Sequence, residues 1–390
     1  MMFLNYFVWG CWFVTIYTYM TKTLLYGDDV AGNIFSTYAI AAMISPFFVG
    51  MVADRFFATQ HILGALHLLG AGLMYGVSVV QDSGMFFVLL MAYTLCYMPT
   101  ISLTNSLSFH HISSQEKDFP MIRVFGTLGW IAAGMLVGLL ALELTAVPMQ
   151  LAAGSSILMG LFAFTLPHTP PPGKGTPTGI REILGLDALA LIKERSFGTI
   201  VVSSFLVCIP LAFYYSLTNT YLVESGVQNS AALQTMGQMS EVVFLLLMPL
   251  LFVRWGIKNV IIIGISAWIL RYILFAYGNN DTAVWMLYGG IILHGVCYDF
   301  FFVAGQIFID KSAPEKLRGA AQGLLTFATY GVGLFLGTII SGQVAAAFKT
   351  VDASGAAGHD WTSLWWVPAI LAAVILPLFI LFFNEKKQVA

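Results

Sequence analysis

Polar and ionisable side chains interrupt the long apolar runs of this sequence at helical spacing. Gln234, Gln238 and Glu241 lie four and then three residues apart, so a helix places them on one face. At membrane depth an ionisable group costs roughly 2.5–3.5 kcal/mol on insertion scales, and it therefore faces a cavity or a partner. Two amides beside one acid indicate a hydrogen-bonding wall with a carboxyl group that exchanges a proton. The alternative is a buried ion pair that only fixes packing.

A second polar group lies in a later apolar run. His294 and Tyr298 share a helical face, whereas Asp299 is turned away from His294 by about 140° at 100° per residue. Asp299 is therefore expected to face a cavity or to pair with a base such as Arg123 or Arg271. For His294, a structural hydrogen bond and a direct contact with a ligand are equally good interpretations.

Two further groups combine aromatic rings with polar side chains. Arg123, Thr127 and Trp130 have one-face spacing, and Tyr215 and Asn219 lie one helical turn apart in another run. Arg123 alone would be interpreted as a cytoplasmic anchor, but the aligned threonine and tryptophan favour a cavity face. Aromatic rings deep in a membrane suit stacking on a ring-shaped solute. Ordinary packing remains the interpretation for most other aromatic residues.

The elements that position these groups are apolar and continuous. The 390 residues are 58% hydrophobic and only 9% charged, against about 25% charged residues in soluble domains. A membrane-spanning helix needs about 20 apolar residues, and continuous rather than alternating runs favour helices over strands. We therefore predict an all-α membrane protein with twelve transmembrane helices. The predicted spans are 3–25, 31–52, 61–80, 85–107, 121–142, 148–166, 198–221, 233–253, 259–277, 284–309, 319–347 and 362–383.

The basic residues predict the orientation of these spans. With the N-terminus in the cytoplasm, 14 of the 17 Lys and Arg residues fall in cytoplasmic segments, and Lys349 falls in an outside loop. Because basic residues concentrate on the cytoplasmic side, we predict both termini to be cytoplasmic.

The longest hydrophilic stretch divides the chain into two halves. Residues 168–179 read HTPPPGKGTPTG, which is typical of a flexible linker, and residues 180–195 have the pattern of an amphipathic helix on the inner membrane surface. We predict an N-terminal six-helix bundle at 1–166, a cytoplasmic linker at 167–197 and a C-terminal six-helix bundle at 198–390. Such a layout is typical of a transporter with its site between the bundles near the bilayer midplane.

Several classes of function are excluded by what the sequence lacks. It has no HExxH, GxSxG or GxxxxGK[ST] motif, and its four cysteines, all within apolar runs, form no metal-binding pattern. We expect no enzyme activity, no cofactor, no metal and, at a net charge of −2, no nucleic-acid partner. A carrier without an ATP-binding domain must draw on an ion gradient for uphill transport. We expect a monomer in the lipid bilayer.

Five segments carry a resemblance to a known family. They are Tyr97–Ser106, Asp118–Trp130, Leu184–Ala188, Gly256–Tyr277 and His294–Phe302. Together they resemble the nucleoside:proton symporter family of the major facilitator superfamily, and the resemblance runs nearly end to end. The segment Gly50–Arg55 (GMVADR) is similar to the superfamily's G-xxx-D-R signature without the glycine and basic cluster that usually follow it. That similarity implies a gating role for Asp54 and Arg55.

The resemblance implies proton-coupled nucleoside uptake by alternating access across the bacterial inner membrane. Arg123, Thr127, Gln238, Glu241 and Asp299 match family positions that line the site or couple protons, and the two acids are the expected proton carriers.

Other positions leave the choice of solute open. Trp130 and Tyr298 stand where better-known permeases carry phenylalanine, and His294 stands where they carry tyrosine. The nucleoside is expected to stack on Trp130, Tyr215 or Tyr298 and to hydrogen-bond to Thr127, Asn219 and Gln238. Polar amides and aromatic rings serve sugars equally well, so a proton-coupled symporter for a sugar or glycoside is the alternative.

Overall fold

The structure is a computed structural model that describes residues 1–45, 57–113, 115–170, 186–351 and 357–384. The predicted gating pair Asp54 and Arg55 lies outside the described residues, and so does most of the predicted linker, residues 171–185.

Long apolar helices dominate the described part of the chain. Eight helices there have the length and the apolar composition to cross a membrane. They are Thr59–Val79, Ser83–His111, Met121–Leu139, Arg195–Glu224, Ser230–Tyr277, Val284–Ser312, Arg318–Ala347 and Trp361–Phe382. The helical character that the composition predicts is confirmed, and these helices are long and apolar enough to span a bilayer.

Shorter elements complete the described ranges. Shorter helices span Met2–Trp12, Ile16–Thr18, Asp28–Phe35 and Val147–Ala163, and residues 37–45 are also helical. The helix that contains Met121–Leu139 begins earlier, at Gln115. Two 3₁₀ helices span Leu186–Lys193 and Glu315–Leu317, the first of them in the segment predicted to be an amphipathic helix. The strands Lys349–Val351 and Ala357–His359 pair antiparallel, with Lys349 opposite His359.

A glycine separates two of the predicted spans. The helix Ser230–Tyr277 has non-helical backbone at Gly256, where φ is 72° and ψ is 162°. Only glycine adopts such a backbone conformation readily. The break falls between the predicted spans 233–253 and 259–277, so the two helical halves correspond to them.

Three π-helical segments interrupt the helices within the ranges that the structure describes. They are Tyr19–Thr23, Asp299–Val303 and Phe327–Gly333. A π-helix winds differently from an α-helix, so facing angles calculated at 100° per residue do not carry through it. The expected 140° between His294 and Asp299 is therefore only a guide, because the π segment begins at Asp299 itself. The first predicted span is likewise interrupted, since its α-helix ends at Trp12 and a π segment follows.

The chain divides into two compact units. Unit 1 contains Met1–Thr178 and Gln228–Thr235, and unit 2 contains Gly179–Val227 and Met236–Ala390. Within each unit small residues allow helices to approach closely, as is usual where lipid supplies no hydrophobic driving force. In unit 1 a Cβ at Gly160 would lie 3.1 Å from the Gly64 carbonyl oxygen, and in unit 2 a Cβ at Gly337 would lie 3.0 Å from the Cys208 carbonyl oxygen.

Candidate functional site

Trp130 in unit 1 belongs to an aromatic cluster. Its ring packs edge-on against Trp9, with ring centroids 5.2 Å apart, and against Phe13, with centroids 5.8 Å apart. Trp9 lies in the helix Met2–Trp12 and Phe13 directly follows the end of that helix. Trp130 itself is only half-buried. The ring is therefore held by its neighbours while part of it stays accessible.

Arg123 lies on the same helix face as Trp130. Its guanidinium carbon is 4.2 Å from the centroid of the Tyr6 ring, which is a cation–π contact. Thr127 lies between Arg123 and Trp130 in spacing, and all three side chains are half-buried. The structure thus brings together the predicted group Arg123, Thr127 and Trp130 on one partly accessible face of unit 1.

A buried hydrogen-bonded network lies nearby in unit 1. The Asn5 side-chain oxygen accepts a hydrogen bond from the Thr100 hydroxyl at 3.1 Å and lies 2.8 Å from His67 Nε2. Tyr97 donates from its hydroxyl to the Asn5 carbonyl at 2.7 Å. The Asn5 side-chain nitrogen is buried without a hydrogen-bond partner in the described part of the chain. These bonds fix the first helix against Thr59–Val79 and Ser83–His111.

In unit 2 a close helix contact positions the second polar group. The backbone N–H of Gly295 donates to the Ser240 hydroxyl at 3.0 Å. A Cβ at Gly237 would lie 3.0 Å from His294 Cβ. The turns that carry Gln238 and Glu241 therefore pack directly against the turn that carries His294.

Arg271 and His294 form a hydrogen bond inside unit 2. Arg271 is fully buried, its Nε donates to the Gly290 carbonyl at 2.9 Å, and an NH2 nitrogen lies 3.2 Å from His294 Nδ1. The guanidinium carbon lies 3.4 Å from the centroid of the Tyr214 ring. The sequence analysis named Arg271 only as a possible partner of Asp299 and did not assign it to the site. An intramembrane arginine was the signal that could have placed it inside.

Asp299 is the most completely buried acid of the predicted site. It is 0% exposed, and neither carboxyl oxygen has a hydrogen-bond partner among the residues that the structure describes. Asp299 does not pair with Arg271, which bonds instead to Gly290 and His294. A pairing with Arg123, which lies in the other unit, stays a prediction. The alternative that the sequence left open, a position facing a cavity, stays a prediction.

The remaining predicted residues lie around His294. Tyr215 is half-buried with its ring centroid 6.5 Å from that of His294, and Asn219 is buried one turn further along. The hydroxyls of Tyr298 and Tyr330 are hydrogen-bonded to each other. Tyr330 was missed from the sequence, since it lies in the π segment Phe327–Gly333 and no local pattern marks it. Glu241 and Gln238 are both half-buried.

Metal chemistry finds no support in the described residues. No group of three or more His, Cys, Asp or Glu side chains there could hold a metal ion. What the two units carry are stacking rings, amides and buried acids, which can bind an uncharged polar solute and exchange protons.

The sequence matches a known protein family over almost its whole length. The profile of the nucleoside H⁺ symporter family matches residues 1–388. The chain belongs to the nucleoside H⁺ symporter family. The resemblance read from the sequence motifs is confirmed, and since the family consists of transporters, the chain is a multi-pass membrane transporter and not an enzyme.

Three relatives from Escherichia coli strain K12 match nearly the whole chain. The protein YegT is 42% identical over 398 residues, which cover 100% of this chain and 93% of YegT. A xanthosine permease is 34% identical, with 99% of this chain and 94% of the permease covered. The nucleoside permease NupG is 31% identical, with 98% of this chain and 94% of NupG covered.

Solved structures support the same fold. The crystal structure of a NupG mutant superposes with a TM-score of 0.91 at 31% identity, covering 98% of both chains. The POT family transporter PepTSo superposes with a TM-score of 0.72 over 98% of this chain and 95% of PepTSo. At 14% identity the second similarity is one of fold alone.

Proposed function

We propose that this protein carries nucleosides across the bacterial inner membrane together with protons, by alternating access. Membership of the nucleoside H⁺ symporter family supports the class of solute and the coupling ion. The observation that carries the coupling is Asp299, a fully buried acid whose carboxyl oxygens have no hydrogen-bond partner among the described residues.

The proposed coupling follows from the cost of burying charge. An ionised carboxylate without a partner is strongly disfavoured in an apolar interior, so the buried state is compatible with the neutral, protonated form of Asp299. Opening to water would let the proton leave. Glu241, on a helix packed against the chain that carries Asp299, is the second proposed proton carrier. Solute and proton would then have to be bound together before the carrier changes state.

We assign solute recognition to the polar and aromatic group around Trp130 in unit 1 and to the group around His294 in unit 2. In unit 1, Trp130 offers a held but partly accessible ring for stacking on a nucleobase, and Thr127 and Arg123 offer hydrogen-bond donors beside it. In unit 2, Gln238 is half-buried and offers both a donor and an acceptor. Tyr215, Asn219, His294 and Tyr298 complete the proposed solute contacts. Asp54 and Arg55 keep their proposed gating role.

We also propose twelve spans with both termini in the cytoplasm. A described helix falls within each of the twelve predicted ranges, which supports the count. The 14 basic residues assigned to cytoplasmic segments support the orientation. The proposed bundles are residues 1–166 and 198–390, joined by a cytoplasmic linker at 167–197, and the proposed functional state is a monomer.

Competition for uptake tests the choice of solute. The uptake of labelled uridine by proteoliposomes is measured with an excess of unlabelled nucleosides, nucleobases or free sugars. Nucleosides are expected to compete, and ribose, glucose and maltose are not. If a free sugar competes better than every nucleoside, the alternative solute class is correct and the nucleoside assignment is wrong.

A further inference from the structure

The contact between Arg271 and His294 restricts where His294 can hold its proton. A guanidinium group has five N–H donors and no acceptor, and it stays protonated in proteins. Since an Arg271 NH2 nitrogen lies 3.2 Å from His294 Nδ1, that nitrogen must be the acceptor of the hydrogen bond. The single proton of a neutral His294 ring is therefore on Nε2.

Protonation of His294 to the imidazolium form is opposed by the same contact. A second proton would have to sit on Nδ1, facing the guanidinium of Arg271, with both side chains almost completely buried. Two positive charges so close together repel each other strongly in a buried environment, where water does not screen them. Four titratable side chains contact His294, namely Tyr214 and Tyr215 on Arg195–Glu224, Arg271 on Ser230–Tyr277 and Tyr298 on its own segment. The same elements also carry Glu241, Cys297 and Asp299.

Arg271 is itself held firmly in place. Its Nε donates to the Gly290 carbonyl. Its guanidinium carbon lies 3.4 Å from the centroid of the Tyr214 ring and 5.3 Å from the centroid of the Trp268 ring. The Tyr214 and His294 rings are nearly parallel, with an interplanar angle of 18°. The arginine thus cannot leave Nδ1 without losing several contacts.

The second ring nitrogen of the neutral His294, Nε2, carries the N–H donor. Among the described residues, Arg271 at Nδ1 is the hydrogen-bond partner of the His294 side chain, and Nε2 has none. The His294 ring lies next to the Tyr298 ring. The backbone of His294 packs against Gly237, which precedes Gln238 in the chain. A donor without a hydrogen-bond partner in the described part of the chain therefore lies beside residues assigned to solute binding.

We propose that Arg271 is a positioning residue that locks His294 as a neutral Nε2–H donor, and that this donor binds an acceptor atom of the solute. On a nucleobase that acceptor is a carbonyl oxygen or an unprotonated ring nitrogen. The inference rests on the proposed function for the identity of the solute. It makes His294 a residue that selects for an acceptor and excludes it as the carrier of the transported proton, a task that falls to Glu241 and Asp299.

The first test reads the proton position directly and needs no solute. The protein, with ¹⁵N-labelled histidine, is studied by solid-state NMR in liposomes, and His294 is assigned among the seven histidines as the signal lost in His294→Gln. We expect a neutral ring with its proton on Nε2 throughout pH 5–8. A proton on Nδ1, or protonation of the ring within that range, would overturn the proposal.

A substitution of the arginine extends this test. In Arg271→Met, which removes every donor and the charge at Nδ1, nothing confines the proton to Nε2, and we expect a fraction of the neutral ring to carry it on Nδ1. In the control Arg254→Met, at an exposed arginine on the same long helix, the spectrum should match that of the parent. A His294 ring whose proton stays entirely on Nε2 in folded Arg271→Met contradicts the role of the arginine. If Arg271→Met fails to fold, the parent spectrum still decides the proton position.

The second test addresses the solute. His294→Gln keeps an N–H donor, whereas His294→Leu has none. For nucleoside uptake we expect KM to rise about 3- to 10-fold in His294→Leu and to stay near the parent value in His294→Gln, with kcat little changed in both. Equal KM values in the parent and His294→Leu contradict the contact. Absence of any nucleoside uptake by the parent would instead contradict the proposed function and leave the NMR result to stand on its own.

Discussion

The Ser240 hydroxyl accepts a hydrogen bond from the backbone N–H of Gly295 at 3.0 Å, across a close contact between two helices of unit 2. The absence of a side chain at Gly295 makes this approach possible, because a Cβ there would lie 2.6 Å from the backbone nitrogen of Glu241. The contact joins the turn that carries a proposed proton carrier to the turn that carries His294. Its geometry therefore bears on both proton coupling and solute recognition.

Gly295→Ala should force these two helices apart. We expect the free energy of unfolding to fall by about 1–3 kcal/mol, as is usual for overpacking, and uptake to fall with it. Thermal unfolding in detergent and uptake in proteoliposomes measure the two effects. Gly319→Ala is the matched control, because a Cβ at Gly319 meets nothing within 4 Å. Equal melting temperatures for Gly295→Ala and the parent would show that the contact is looser than described.

Trp130 should contribute to solute affinity through its ring. Stacking of a base on an aromatic side chain is worth about 1–3 kcal/mol, so we expect KM for a nucleoside to rise at least about fivefold in Trp130→Ala. Trp130→Phe keeps a stacking surface and should stay closer to the parent. Uptake kinetics on the three proteins check this order. A Trp130→Ala protein with the parent KM would remove Trp130 from the proposed site.

Glu224 at the end of the helix Arg195–Glu224 holds the β-hairpin that precedes the last helix. Its carboxylate accepts hydrogen bonds from the His359 backbone N–H at 3.1 Å and from the Trp361 indole N–H at 2.7 Å, and it lies 2.9 Å from His359 Nδ1. Glu224→Ala leaves these donors without their acceptor, and we expect a loss of about 1–3 kcal/mol in unfolding free energy. Trp361→Phe removes one donor and should cost less. The reverse order of melting temperatures would contradict this account of the hairpin.

Asp360 caps the last helix and should give it a small pH dependence. Its carboxylate accepts from the Ser363 backbone N–H at 3.1 Å, and hydrogen bonds from Ser363 hold the pKa of Asp360 below its ordinary value. Because the folded-state pKa is the lower one, the stabilisation is present above the unfolded value of about 3.9 and is lost as the pH falls through the folded value. In Asp360→Asn the asparagine side chain can still cap the helix, but it has no carboxyl group that titrates. The melting temperature of the parent relative to Asp360→Asn should therefore be constant from pH 5 to 8 and fall only in stronger acid. A difference that changes between pH 5 and 8 would contradict the assignment.

Much of the fold could be predicted from the sequence because lipid imposes simple demands. Continuous apolar runs require helices, and the polar break around Gly256 separates two of them. The one-face spacing of Arg123, Thr127 and Trp130 was also sufficient to predict a shared, partly accessible face.

Other features depend on contacts that no local pattern encodes. The π segment that begins at Asp299 changes the helical phase, so the direction of the residues after it could not be calculated from spacing. The partner of Arg271 was undetermined because its long side chain could reach a carboxylate, a ring or the membrane surface equally well. Tyr330 could not be identified for a similar reason, since its bond to Tyr298 joins residues 32 positions apart on two successive helices.

Accumulation of labelled uridine in proteoliposomes under an inward proton gradient is the most direct test of proton-coupled nucleoside transport. We expect the parent, and the control Asp281→Asn at an exposed loop residue, to accumulate uridine above its outside concentration only while the gradient lasts. Asp299→Asn should equilibrate uridine without accumulating it, because the buried acid that links solute to proton is gone. Accumulation by Asp299→Asn to the parent level, or accumulation by the parent without a proton gradient, would contradict the account.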